Sequence, residues 1–191
     1  MTYFNYRTRV RENFRQRLVN MVSIAALQQD GDLHAAIQNP GDEETEAYKQ
    51  IQAINKAIVA TEPEVGYLYT MRMNDQGQIH FFVDAGQPGD DDLATVAEFF
   101  EESTPLMRTT FHSLDHAVAE EQFNTDRWGT WLSTYAPFYN SNGDLEGIIG
   151  MDIGASTVIA AERAVLYLIL GTTAGAMVIV TLLGLWLGNI F

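Results

Sequence analysis

The sequence predicts an α+β domain with an antiparallel sheet, followed by a helix long enough to cross a membrane. Three observations carry that reading. Apolar stripes at helical spacing fill the first third of the chain. Alternating runs broken by polar turns fill the middle and the later part, and no charged residue occurs from Ala164 to Phe191. Helices first, then strand pairs around a helical excursion, is the order of an α+β fold rather than of alternating βαβ units.

From Thr2 to Gln29 the residues Val10, Phe14, Leu18, Met21 and Ala25 recur on one helical face with arginine and glutamine between them, so one long amphipathic helix is expected. Gly31 is placed to end it in a left-handed conformation, and Asp32 to cap a short helix carrying Leu33 and Ile37. Asn39-Pro40-Gly41 breaks the chain. A further helix is expected from Glu43 to Ala60, with Tyr48, Ile51, Ile54 and Ile58 as its stripe and acidic residues in its first turn, until Glu62-Pro63 ends it.

Glu64 to Met73 and Gln78 to Asp84 read as two strands around the turn Asn74-Asp75-Gln76-Gly77. Strict alternation puts Tyr67, Tyr69 and Met71 on one face of the first, and His80, Phe82 and Asp84 on one face of the second. A polar turn from Gly86 to Asp90 follows, then a helix expected from Leu93 to Glu101, capped and charged by Asp90 to Asp92. Ser103 or Thr104 with Pro105 opens another short helix, from Leu106 to Phe111. Val118 to Phe123 reads as a short strand within an ambiguous segment.

The clearest hairpin is the last: Gly129 to Tyr139 and Leu145 to Ile153, joined through Asn140-Ser141-Asn142-Gly143-Asp144. Alternation puts Trp131, Ser133, Tyr135 and Pro137 on one face and Thr130, Leu132, Thr134 and Ala136 on the other. Gly147 and Gly150 leave room for a neighbouring group to approach the second strand, and Asp152 falls near its end.

The formal net charge of -14 is unevenly spread: Met1 to Asn20 holds Arg7, Arg9, Arg11, Arg15 and Arg17 against Glu12 alone, so this segment is +4 and the remainder -18. So acidic a body repels phosphate backbones, and no nucleic-acid partner is expected. The absence of cysteine excludes disulfides and thiolate metal sites and does not choose a compartment.

The uncharged stretch from Ala164 to Phe191 exceeds the roughly 20 apolar residues a spanning helix needs. Gly171 with Gly175, and Gly184 with Gly188, form two small-xxx-small pairs on roughly opposite helix faces, so at most one marks a helix–helix seam. The apolar run reaches Phe191 without a polar flank, which reads as a fragment of a longer protein; whether a further span precedes Met1 stays open.

The last hairpin resembles the C-terminal hairpin of Cache domains, the extracytoplasmic PAS-like sensors of membrane receptors. The likeness rests on its aromatic and glycine entry, Ser133 two residues past Trp131, Ala136-Pro137, the polar turn, and a glycine-rich last strand ending in Asp152-Ile153. It extends upstream through Asp30-Gly31-Asp32-Leu33-His34, Tyr67-Leu68-Tyr69-Thr70 and Phe82-Val83-Asp84-Ala85, covering roughly residues 5 to 155.

The resemblance implies a five-stranded antiparallel sheet with the long N-terminal helix behind it and the helical excursion over a ligand site in front. It divides the chain into a signalling and dimerisation helix (1–30), a sensing domain (31–155), a juxtamembrane linker (156–163) and a transmembrane helix (164–191). It further implies an inner-membrane receptor working as a homodimer, its sensor on the periplasmic side, with a cyclase, histidine kinase or chemoreceptor output module. Strand parity and the resemblance together select Tyr67, Tyr69, Asp84, Trp128, Trp131, Ser133, Tyr135 and Asp152 as ligand-binding residues. Aromatic walls with an acidic pair favour a cationic or hydroxyl-rich small molecule. Arg127-Trp128 is followed by glycine rather than by the aromatic and acidic residues of amine or amino-acid receptors, so the ligand stays open.

Two other readings compete. A tail-anchored cytosolic interaction domain fits a chain with no visible export signal at Met1. A membrane-anchored metallohydrolase would use His112 and His116, since His112-Ser113-Leu114-Asp115-His116 is one step from H-x-x-E-H, but no glutamate base occupies the required slot. No metal site, cofactor or catalytic residue is therefore assigned. Asn140, Asn142 and Asp144 loosely follow a calcium loop but lack its far bidentate glutamate, and read as a turn.

Overall fold

A computed structural model describes residues 3–86, 89 and 92–189, the first three of these by backbone alone. The N-terminal helix α1 (Tyr3–Ala26) buries Leu18, Val22 and Ala25, one helical face of its apolar stripe. Gly31 does not end it. That residue opens α2 (Gly31–Ala35), capped by the Asp30 carboxylate, which accepts from the Leu33 N–H at 2.9 Å. A Cβ at Gly31 would lie 2.3 Å from the Tyr139 carbonyl oxygen, so glycine is there for close approach to the sheet. Asp32, expected as the cap, instead accepts from the Ser141 N–H at 3.2 Å.

A 3-10 turn at Asp42–Glu44 precedes α3 (Glu46–Thr61), whose cap is Thr45. The strands are β1 (Val65–Met73), β2 (Ile79–Gly86), β3 (Val118–Ala119), β4 (Asn124–Thr125), β5 (Thr130–Tyr139) and β6 (Leu145–Gly154). They form one sheet in the order β2-β1-β6-β5-β3, with β4 also pairing β5. The described ladders are antiparallel. The sheet is thus the expected five-strand path with a two-residue sixth strand added along β5.

Behind the sheet, Leu18, Val22 and Ala25 of α1 pack on Leu132, Ala136 and Phe138 of β5 and on Ile149, Met151 and Ile153 of β6. Beside them, Ile37 with Tyr48 and Ile51 of α3 covers Phe82 and Val83. The front layer is made by Phe100 and by the short helix α4 (Pro105–Thr110), opened by the Thr104 cap and followed by a 3-10 turn at Phe111–Ser113. Met107, Phe111 and Leu114 from this excursion pack on Tyr69, Met71, Phe81, Tyr135 and Ile148. Each aliphatic side chain so buried stabilises the fold by roughly 1.5–3 kcal/mol before the entropy of ordering it.

The helix expected from Leu93 to Glu101 is absent. Its described residues run instead along β2: Phe81 N–H donates to Glu98 O at 2.9 Å, Ala97 N–H to Phe81 O at 2.8 Å and Phe100 N–H to Ile79 O at 2.9 Å. Ala97 has φ +62°, outside any right-handed helix. Asp90 and Asp91, expected to cap that helix, and Gln87 and Pro88 of the polar turn lie outside the described residues.

β2 also departs from strict alternation. Tyr69 pairs with Asp84 but Met71 pairs with Phe81, so three residues of β2 span the distance of two on β1. This bulge turns Asp84 to the same face as Phe81 and away from Phe82, with which simple parity had grouped it. The displaced Val83 N–H is taken up by Thr70 Oγ1 at 3.0 Å, and Thr70 Oγ1 lies 2.7 Å from Nε2 of the fully buried His34.

β6 ends at Gly154 and α5 (Ala155–Gly188) begins at the next residue, so residues 156–163 are the first turns of the same helix that carries the uncharged stretch. Three described residues of α5 are buried, namely Ala155, Val158 and Glu162. From Leu168 to Asn189 it is exposed and apolar with a mean hydropathy of 2.1 in its best window, which makes it long and apolar enough to cross a bilayer.

Candidate functional site

The front face of the sheet holds a small cavity lined by Tyr67, Tyr69, Phe81, Asp84, Phe100, Asp126, Trp128, Trp131 and Asp152. β1 contributes the tyrosines, β2 contributes Phe81 and, through its bulge, Asp84. β6 contributes Asp152, which stands opposite Tyr67 on one side and Ser133 on the other. The turn before β5 supplies Asp126 and Trp128.

The walls are aromatic and cross-braced. Tyr67 meets Trp131 edge-on at 5.1 Å between ring centroids, Tyr69 meets Phe81 at 5.3 Å, and Phe81 meets Trp128 at 5.5 Å. Trp128 is fixed by its Nε1–H donating to Asp92 O at 2.7 Å, and its outer face carries the Arg127 guanidinium at 4.0 Å. The free volume inside is about 10 Å³, room for one water-sized body.

Three carboxylates converge on this space, and among the described lining residues there is no basic side chain. Asp126 Oδ1 accepts from the Trp128 and Gly129 N–H groups at 2.9 and 3.0 Å and from Trp131 Nε1–H at 3.0 Å, so it organises the turn. Asp84 Oδ2 accepts from the Ala94 N–H at 2.8 Å. Asp152, 3% exposed, has an Oδ1 atom with no hydrogen-bond partner. Burial pushes its carboxyl up to about 7; the Ser133 and Tyr69 hydroxyls hold it down, while the charges of Asp126 and Asp84 raise it further.

Of the residues expected at the site, Tyr67, Tyr69, Asp84, Trp128, Trp131 and Asp152 are brought together around this cavity. Ser133 and Tyr135 are not among its walls. Ser133 is fully buried and donates to Asn124 Oδ1 at 3.0 Å, and Tyr135 is buried in the front core opposite Gly150. Phe81, Phe100 and Asp126 line the cavity without having been expected there. An Asp two and three residues before Trp128 and Gly129 is an Asx-turn signal, so Asp126 was open to discovery. His112 lies in the 3-10 turn and His116 pairs with its neighbour Asp115. Among the described residues no group of three or more His, Asp or Glu is placed to hold a metal ion.

Solved structures share the overall fold. The ligand-binding domain of the Campylobacter jejuni chemoreceptor Tlp3 in complex with 4-methylisoleucine superimposes with a TM-score of 0.54 at 11% identity, over 82% of this chain and 57% of that one. The same domain with L-valine gives 0.50 at 12% identity, over 82% and 58%. The chain has the fold of these chemoreceptor ligand-binding domains. A further structure of the Tlp3 sensory domain matches with a TM-score of 0.50 at 12% identity, over 82% of this chain and 59% of the other. The chain thus spans less than two thirds of the length of these receptor domains. No family model matches the sequence, and no curated protein matches it.

Proposed function

We propose that this chain is the extracytoplasmic sensor of a transmembrane receptor and that its cavity takes a small organic cation. The observation that carries the reading is the unpartnered Asp152 Oδ1, buried among aromatic rings beside Asp84 and Asp126 with no described cation in the walls. A buried carboxyl that gains an ammonium partner exchanges an unfavourable ionisation for a charge-assisted hydrogen bond, and ring faces add cation–π attraction. A ligand carboxylate would find no cationic side chain among the described walls, which favours an amine over an amino acid such as the L-valine held by the Tlp3 domain.

The cavity is smaller than any amine with several carbon atoms, so such a ligand displaces front-layer side chains as it binds. Different affinity for the closed and displaced arrangements is what a signal requires. Asp152 lies two residues before the end of β6, which runs into α5, and this continuity carries displacement to the membrane helix. The N-terminal end of α1 meets α5 just before its uncharged stretch through Arg7 and Glu162, which supports a chain that enters and leaves the domain on the membrane side. Dimerisation through α1 would give α5 a partner to move against. The output is a cyclase, a histidine kinase or a chemoreceptor module.

The test is a thermal-shift screen of the full chain in lipid nanodiscs against alkylamines, carboxylates and nucleobases. Alkylamines alone should raise the unfolding temperature, and Asp84→Ala and Trp131→Ala should abolish the rise. Stabilisation by carboxylates, or equal stabilisation of both variants by an amine, contradicts the assignment.

A further inference from the structure

Glu162 is the last acidic residue before the uncharged stretch and is only 4% exposed. Its carboxylate is gripped by two arginines one turn apart on α1. Arg7 Nε donates to Oε2 at 2.9 Å, while Arg11 donates to Oε1 through Nη2 at 2.9 Å and Nε at 3.2 Å. The carboxylate is buried while the Arg7 and Arg11 side chains stay 46% and 24% exposed, and a carboxylate paired in this way stabilises a fold little more than well-packed apolar residues of the same volume. Its chemistry instead suits a contact that is made in one arrangement and unmade in another.

The surroundings fit that use. α5 has few other buried attachments among its described residues, only Ala155 and Val158, and beyond the half-buried Val165 and Leu166 it is exposed. Among the described ion pairs it is the outermost on α5, and it bears on the angle between α5 and α1. Beside it runs an open groove lined by Arg7, Thr8, Arg11, Glu12, Arg15 and Glu121, where Glu12, which already accepts from Arg15 Nη1 at 2.8 Å, and Glu121 are carboxylates in solvent. Guanidinium groups released from Glu162 thus have carboxylates beside them, whereas the Glu162 carboxylate is satisfied again only where α5 moves into solvent.

Both sides of the contact lead to the cavity. Glu162 lies ten residues beyond Asp152, where β6 runs directly into α5. On α1, Arg11 lies over the Phe123 ring at 4.4 Å, and Arg15, one turn further, donates to the carbonyls of Glu120 at 2.9 Å and Ala119 at 3.2 Å. The Glu120 carboxylate accepts from the Thr104 hydroxyl, and Thr104 caps the helix whose Met107 packs in the front core.

We propose that the Arg7–Glu162–Arg11 contact is a latch that holds the base of α5 in one position on α1, and that its release frees α5 to move relative to the sensor domain. The purpose of the latch rests on the sensor reading above; its existence does not.

The chain has no cysteine, so Asn13→Cys on α1 and Ala160→Cys on α5, both exposed positions, give a unique pair of spin-label sites. Electron–electron distance measurement is made on the full chain in nanodiscs, with labelled protein diluted in unlabelled. The parent should give one narrow distribution. Glu162→Gln, and separately Arg7→Gln with Arg11→Gln, should at least double its width or shift its mean by several ångströms, and Arg11→Lys alone should stay closer to the parent. Should Glu162→Gln fail to fold, Glu162→Met replaces the buried charge with an apolar side chain and carries the same reading. Distributions superimposable on the parent's in the neutralised variants overturn the latch. No ligand is present in this measurement, so that result leaves the sensor reading intact, and a failed ligand screen leaves the distances unchanged.

Discussion

Gly150 and Tyr69 stand opposite each other in the β1–β6 register, and the Tyr69 ring fills the volume that a side chain at position 150 would need. An ideal Cβ there would lie 2.3 Å from Tyr69 Cε2. The glycine is therefore what lets a cavity wall lie flat on the sheet. Gly150→Ala should cost about 1–3 kcal/mol through overpacking, lowering the melting temperature by roughly 2–4 °C per kcal/mol for a chain of this size. Calorimetry with near-ultraviolet circular dichroism measures both the loss and the tyrosine displacement, and an unchanged tyrosine signal would contradict it.

Thr70 supports the site from the other face of the sheet. Its hydroxyl accepts the Val83 N–H released by the bulge that turns Asp84 forward, and it meets the buried His34 ring. Thr70→Val keeps shape but removes that acceptor, leaving buried polar groups unsatisfied at a cost of about 1–3 kcal/mol. Thr70→Ser should recover most of the loss in urea unfolding. Equal stability of the valine and serine variants would show that the hydroxyl is idle.

Two buried groups pull the pH profile in opposite directions. Burial pushes Asp152 up to about 7, so the folded state holds its proton while the unfolded chain has lost it; this contribution is full below the ordinary carboxyl value and disappears as pH rises to about 7. Burial lowers His34 to about 4, so its contribution is full above the ordinary imidazole value and is lost as pH falls towards 4. Between those limits the slopes largely cancel. Asp152→Asn should unmask the histidine, giving stability that rises by about 3 kcal/mol from pH 4 to 6.5. Its stability relative to the parent should increase with pH up to about 7, and denaturant titrations at each pH check the sign.

Much of this was legible in the sequence, for local reasons. The hairpin of β5 and β6 follows from a polar turn between two alternating runs, and that alternation placed Trp131 and Asp152 on the cavity side. Residues 93–101 misled because their apolar spacing suits a helix, whereas backbone pairing with β2 and the Asp84 bond to Ala94 N–H decide their course. Phe100 was hidden by the same error. Phe81 was hidden by the bulge, since a one-residue slip in β2 exchanges faces and nothing local announces it. Glu162 reads as an ordinary juxtamembrane charge until α1 is folded against it.

The reading of the cavity requires that a cation seat against Asp152. Titration calorimetry of a stabilising alkylamine should show binding to the parent at neutral pH with a proton released to buffer, because the carboxyl near 7 ionises on meeting the ammonium. Asp152→Asn should lose both the binding and the proton release. Undiminished amine affinity in a folded Asp152→Asn protein, or binding to the parent without a change in protonation near that pH, would contradict the claim.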